Sequence, residues 1–72
     1  MRIMTASDFG AAIRKRRKAL GYTQVFLSEA GGFSVSFISD LENGKATAEL
    51  EKALALAALL GLDIFAEARE EV

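Results

Sequence analysis

Three glycine-bearing stops set the fold of this chain: Gly21, the Gly31-Gly32 pair, and Asn43-Gly44. Between them lie two short stretches that read as two-turn helices, Gln24 to Ala30 and Val35 to Glu42. Each is preceded by a hydroxyl residue suited to an N-cap, Thr23 and Ser34. A paired glycine between two short helices allows a tight reversal, because one glycine can take a left-handed backbone. The pattern therefore predicts two short helices meeting at a tight turn, with Phe33 dropping into the core just after it.

The flanks extend the helical reading. Helix 1 is expected to open at Ser7, with Asp8 on its dipole, and to place Phe9, Ala12, Ile13, Arg16 or Arg17, and Leu20 on one side before Gly21 stops it. Helix 2 should bury Val25 or Phe26 together with Leu27. Helix 3 should turn Phe37, Ile38 and Leu41 inwards and leave Val35, Ser36, Ser39 and Asp40 facing out. Helix 4 is expected to be capped by Thr47 and ended by Gly61, with Leu50, Leu54, Ala57, Leu59 and Leu60 forming an apolar surface wider than one stripe. The stretch from Leu62 to Glu67 reads two ways. Its brief alternation suits a strand, the favoured reading, and the Ala-Glu-Ala-Arg that follows suits a fifth helix.

Composition excludes much. The 72 residues contain no Cys, His, Pro or Trp, so disulfides and the usual zinc ligand sets are absent, and a small all-helical core is favoured. No Gly-rich phosphate loop follows a strand and no His or Cys offers a nucleophile or base, so an enzyme is not expected, and neither is a cofactor. No apolar run spans a membrane and no leader pattern opens the chain, so a cytoplasmic location is expected. The net charge of −1 hides a segregation: residues 1–24 carry six cations against one acid, and residues 25–72 carry three cations against nine acids. One basic and one acidic face follow from that division.

Two short capped helices around a glycine turn are the form in which a helix-turn-helix presents its second helix to the major groove. With Gly21-Tyr22-Thr23-Gln24, Phe33-Ser34 and Ile38-Ser39-Asp40-Leu41-Glu42-Asn43-Gly44-Lys45 in register, the chain resembles the Cro/C1-type (XRE) helix-turn-helix domains of the lambdoid phage repressor kind. More narrowly, it is similar to the HipB-like antitoxin repressors that sit beside HipA-type kinases. The resemblance spans about residues 8–65. It implies an all-α bundle of four to five helices forming one domain over residues 1–72, with an acidic tail from 66 to 72. In HipB-like proteins a strand near residues 62–67 pairs across a dimer.

The resemblance also assigns roles. It implies that Gln24 touches the DNA backbone and braces a neighbouring recognition side chain. It implies, too, that Arg17 and Glu42 form an ion pair tying helix 1 to the end of helix 3, a structural role. At the start of the recognition helix, Ser34 divides its hydroxyl between capping and contact. Val35 can pack on a thymine methyl, and Ser36 can donate or accept. Relatives commonly carry Arg or Gln at positions 35 and 36, and this chain has neither. Asp40 could accept from cytosine N4 or turn back to Lys45, and Ser39 shares its outward face. Affinity should rest on Lys45, Arg14, Lys15 and helix N-termini.

Leu50, Leu54, Leu59, Leu62, Ile64 and Phe65 form a candidate dimer surface. Core packing suits Leu50 and Leu54 better, whereas Leu62, Ile64 and Phe65 lie beyond the last firm helix. The leading expectation is a homodimeric repressor of a palindromic double-stranded operator, the antitoxin of a HipA-like kinase module that silences its own operon. A phage repressor or a restriction–modification controller would share the motif. A toxin-binding interaction module with weak DNA affinity would share the fold.

Overall fold

The computed structural model describes residues 2–70. Four helices follow in order: α1 (Ala6–Ala19), α2 (Gln24–Gly31), α3 (Val35–Glu42) and α4 (Leu50–Leu59). The all-α expectation holds, with four helices and no strand among the described residues.

Caps explain where the helices begin. α2 and α3 start as expected, with the Thr23 and Ser34 hydroxyls each accepting a backbone N–H three residues on, from Phe26 and Phe37, at 3.0 Å. α1 begins earlier than Ser7. Thr5 caps it by accepting the Asp8 amide at 3.0 Å, and the Asp8 carboxylate accepts the Met4 amide at 2.9 Å. That reciprocal pair satisfies two amides at once, which Ser7 could not do from inside the first turn. α4 begins later than Thr47 allows. Thr47 lies in the turn after Gly44, and Glu49 precedes the helix without any side-chain cap.

One continuous core joins the helices. Ile13 of α1, Leu27 of α2, Ile38 and Leu41 of α3, and Ala53, Leu56 and Ala57 of α4 with Leu60 are buried. Each fully buried leucine or isoleucine among them contributes about 1.5–3 kcal/mol. Phe33 and Phe37 pack against this cluster with ring centroids 5.8 Å apart. In α2 only Leu27 is buried, so the expectation that Val25 or Phe26 would join it fails. Successive residues turn about 100° around a helix, and a two-turn helix that commits Leu27 inwards leaves its two predecessors outside. Phe26 instead leans on Tyr22, with ring centroids 4.8 Å apart.

Two glycines set the geometry of the motif. Gly32 has φ +77° and lets the chain reverse between α2 and α3. Gly10 lies where α1 crosses the end of α3. A Cβ there would collide with the Leu41 carbonyl oxygen and come within 2.9 Å of the Glu42 oxygen.

Beyond Gly61 only Leu62 returns to the core, donating its amide to the Ala57 carbonyl at 2.9 Å and packing half-buried against the cluster. Leu62 thus packs on the core with one side while its other side stays open to a surface groove. Residues 63–70 form neither the strand favoured from sequence nor a fifth helix. A strand needs a neighbouring edge, which one chain does not supply, and the short Ala-Glu-Ala-Arg segment cannot meet the cost of nucleating a helix unpacked. Leu50 and Leu54 also depart from the core role favoured for them. Both face outwards, Leu50 with 69% of its surface exposed.

Candidate nucleic-acid interface

The motif is locked from behind by a buried polar cluster. Arg17 donates from Nε and Nη2 to the two oxygens of Glu42 at 2.6 and 2.9 Å, and from Nη1 to the Tyr22 carbonyl at 2.8 Å. The Gln24 amide donates to the Glu42 Oε1 at 3.2 Å. One guanidinium thus ties α1 to the loop before α2 and to the last residue of α3. Its planar fork fits a carboxylate in a way that a lysine could not reproduce. Side-chain exposure is 9% for Arg17 and 3% for Glu42, so removing one partner would leave a charge stranded.

Burial alone would push the Glu42 carboxyl up. Hydrogen bonds from Arg17 and Gln24, with the charges of Arg17 and Arg14, outweigh it and hold Glu42 below its ordinary value of 4.5. Arg17 is held above its usual range, first by its hydrogen bond to Glu42, against a smaller opposing effect of burial.

This cluster redefines Gln24. Its side chain is half-buried and gives one amide proton to Glu42, so Gln24 braces the end of α3 and keeps its oxygen and second proton for other contacts. In the first turn of α2 the Phe26 amide is taken by the Thr23 hydroxyl and the Leu27 amide by the Thr23 carbonyl, each at 3.0 Å.

The outward face of α3 collects the other sequence candidates. Val35 and Ser36 are exposed at its first turn, beside the Ser34 cap. Ser39 and Asp40 are half-exposed one turn on. Asp40 accepts from Lys45 Nζ at 3.4 Å in an exposed pair, which contributes little and leaves Lys45 free to swing to another anion. Ser39 accepts from Asn43 at 3.5 Å. α3 itself contains no cation.

The basic run of α1 divides by function. Arg17 is in the buried cluster. Arg16, which shared the inward position in the sequence reading, donates from Nε to the Leu60 carbonyl at 2.8 Å and so closes the end of α4. Arg14 is exposed on the side where its charge acts on Glu42. Lys15 turns away and lines a shallow groove with Ala12, Arg16, Ala19 and Leu62. Lys18 is exposed one turn beyond Arg14, the i, i+4 spacing that puts the two cations on one side of α1.

No cluster of His, Cys, Asp or Glu among the described residues could hold a metal ion. No described helix is long and apolar enough to cross a membrane.

Comparison with known proteins adds the following. The family model HTH_3, helix-turn-helix, matches residues 13–65. The HTH-type transcriptional regulator y4mF of Sinorhizobium fredii is 41% identical over 63 residues, covering 88% of this chain and 83% of that protein. Among solved structures, a HipB–O4 20mer complex is similar in fold, with a TM-score of 0.86 at 21% identity over 97% of this chain and 99% of that one. A HipA–HipB–O2–O3 complex gives the same TM-score and coverage.

Proposed function

Because this chain belongs to the helix-turn-helix family of transcriptional regulators, we propose that it is a homodimeric, sequence-specific repressor that lays α3 in the major groove of a palindromic operator. The observation that carries this reading is the outward first turn of α3, held at a fixed angle by the Arg17–Glu42 fork. Ser34, Val35, Ser36, Ser39 and Asp40 face the bases. The amides opening α2 beside Gln24 meet phosphate at the positive end of that helix. Arg14 and Lys45 neutralise the flanking backbone, with Lys18 one turn beyond Arg14 on the same side of α1. With no cation on α3, affinity comes from the flanks and from helix ends.

Dimerisation places two such helices about 34 Å apart, one helical turn of DNA. Ile64 and Phe65 are the proposed contact with the second copy. Phe65 has 82% of its surface exposed, just beyond the last residue packed into the core. Two tails laid edge to edge would supply each other with the strand partner that one chain lacks.

The finer reading is an antitoxin that represses its own operon and binds a HipA-like kinase. The likeness in fold to HipB in a HipA–HipB–O2–O3 complex supports it, as does the acidic, apolar-tipped C-terminal segment, which suits a protein partner. Co-expression with the product of the gene next to its own tests this. Co-purification through the tail supports the antitoxin reading, and absence of any complex leaves a repressor without a toxin.

A further inference from the structure

Most polar side chains on and beside the outer face of α3 already hold one partner within the chain, although the Ser34 and Ser39 hydroxyls each keep a hydrogen to donate and the exposed Asp40–Lys45 pair is weak. Ser34 spends its hydroxyl on the Phe37 amide at 3.0 Å. Gln24 donates to Glu42 at 3.2 Å. Asp40 accepts from Lys45 at 3.4 Å and Ser39 from Asn43 at 3.5 Å. The exposed residues left at the first turn are Val35 and Ser36. A serine hydroxyl donates to one base edge as readily as it accepts from another, so Ser36 discriminates weakly.

Val35 differs from all of these. It is the first residue of α3, keeps 39% of its surface exposed, and follows directly on the Ser34 cap. Its β-branched side chain has essentially one rotamer in a helix, so its two methyl groups are fixed in direction before any contact forms. In the major groove the one apolar group that a base pair displays is the C5 methyl of thymine.

We infer that Val35 is the principal specificity-determining residue and that it reads a thymine C5 methyl in each half-site. The chain therefore selects DNA by the placement of methyl groups more than by hydrogen-bond patterns. This inference rests on the DNA-binding reading above. It explains how a recognition helix with no arginine, lysine, glutamine or asparagine within it can still discriminate. Asp40 adds exclusion: a carboxylate on the same face is repelled by phosphate and by acceptor-rich base edges, which penalises misregistered docking.

The test uses the full chain and duplexes enriched from a random-sequence pool. Each thymine of the enriched site is replaced in turn by deoxyuridine, which removes the C5 methyl and leaves the pairing edge unchanged. The expected result is one thymine per half-site whose replacement weakens wild-type binding about fourfold, the worth of one buried methyl group, and leaves binding by Val35→Ala unchanged. Val35→Gln should shift the enriched base at that position to adenine, which a glutamine amide pairs bidentately. Val35 is exposed, so both variants should keep the wild-type melting curve. If a site is enriched but no deoxyuridine replacement weakens binding, or if wild type and Val35→Ala lose affinity equally, methyl readout is wrong while DNA binding stands. If no site is enriched, both readings fall.

Discussion

Arg17 grips Glu42, 25 residues further along the chain, by two hydrogen bonds of 2.6 and 2.9 Å that join α1 to α3. The Tyr22 carbonyl takes a third guanidinium hydrogen at 2.8 Å, so the arginine is satisfied on every side that faces protein. Through this one group the angle between α1 and the recognition helix is set by chemistry rather than by packing alone.

Breaking the fork on one side should be costly. Glu42→Ala strands a buried guanidinium and should lower unfolding free energy by about 3 kcal/mol, read by urea titration of the helical signal. Replacing both residues, Arg17→Met with Glu42→Leu, should recover most of that loss, because no unpaired charge remains.

The same pair gives stability a pH dependence. Glu42 is held below its ordinary value of 4.5 in the folded chain, so its contribution is fully present above that value and is lost as pH falls through the lower, folded one. Unfolding free energy measured from pH 6 downwards should decline below about pH 4.5, and Glu42→Gln should make the decline shallower.

Gly10→Ala tests the crossing of α1 over α3. The added methyl meets backbone oxygens of Leu41 and Glu42, which cannot rotate away as a side chain would. We expect a loss of about 2 kcal/mol and a Tm lower by roughly 8–16 °C, even though alanine is the better helix former. A rise in Tm would mean that the two helices do not approach as described.

Local chemistry made much of this structure legible and long-range contacts made the rest obscure. Thr23, Ser34 and Gly32 act on neighbours a few residues away, so the paired helices could be read directly from spacing. Thr5 is as legible, since Asp8 follows it at capping-box spacing, whereas Ser7 lacks an acid three residues on. Glu49 offers no cap, and Thr47 misled because a hydroxyl before a helix is also common in a turn. Arg16 bonding the Leu60 carbonyl spans 44 positions and leaves no periodic trace. The outward turn of Leu50 and Leu54 was hidden for another reason. Helix 4 is apolar on several faces, and periodicity cannot say which of them the other helices cover.

The dimer proposal makes its own demand on the tail. Phe65→Ser should shift sedimentation equilibrium from twice the chain mass towards the monomer while leaving the helical spectrum unchanged. A wild-type chain that sediments as a monomer at all concentrations would remove the palindromic-operator geometry.

The basic flank is expected to act without regard to sequence. Arg14→Ala should weaken binding to every duplex similarly and reduce the slope of log affinity against log salt by about 1.

The central claim is sequence-specific DNA binding, and fluorescence anisotropy across a salt series tests it most directly. The full chain is titrated onto labelled DNA from the region upstream of its own gene and onto a scrambled duplex of the same composition. The account expects tighter binding to the upstream duplex, weakening steeply as salt rises. Equal, weak affinity for both duplexes at every salt concentration would contradict it.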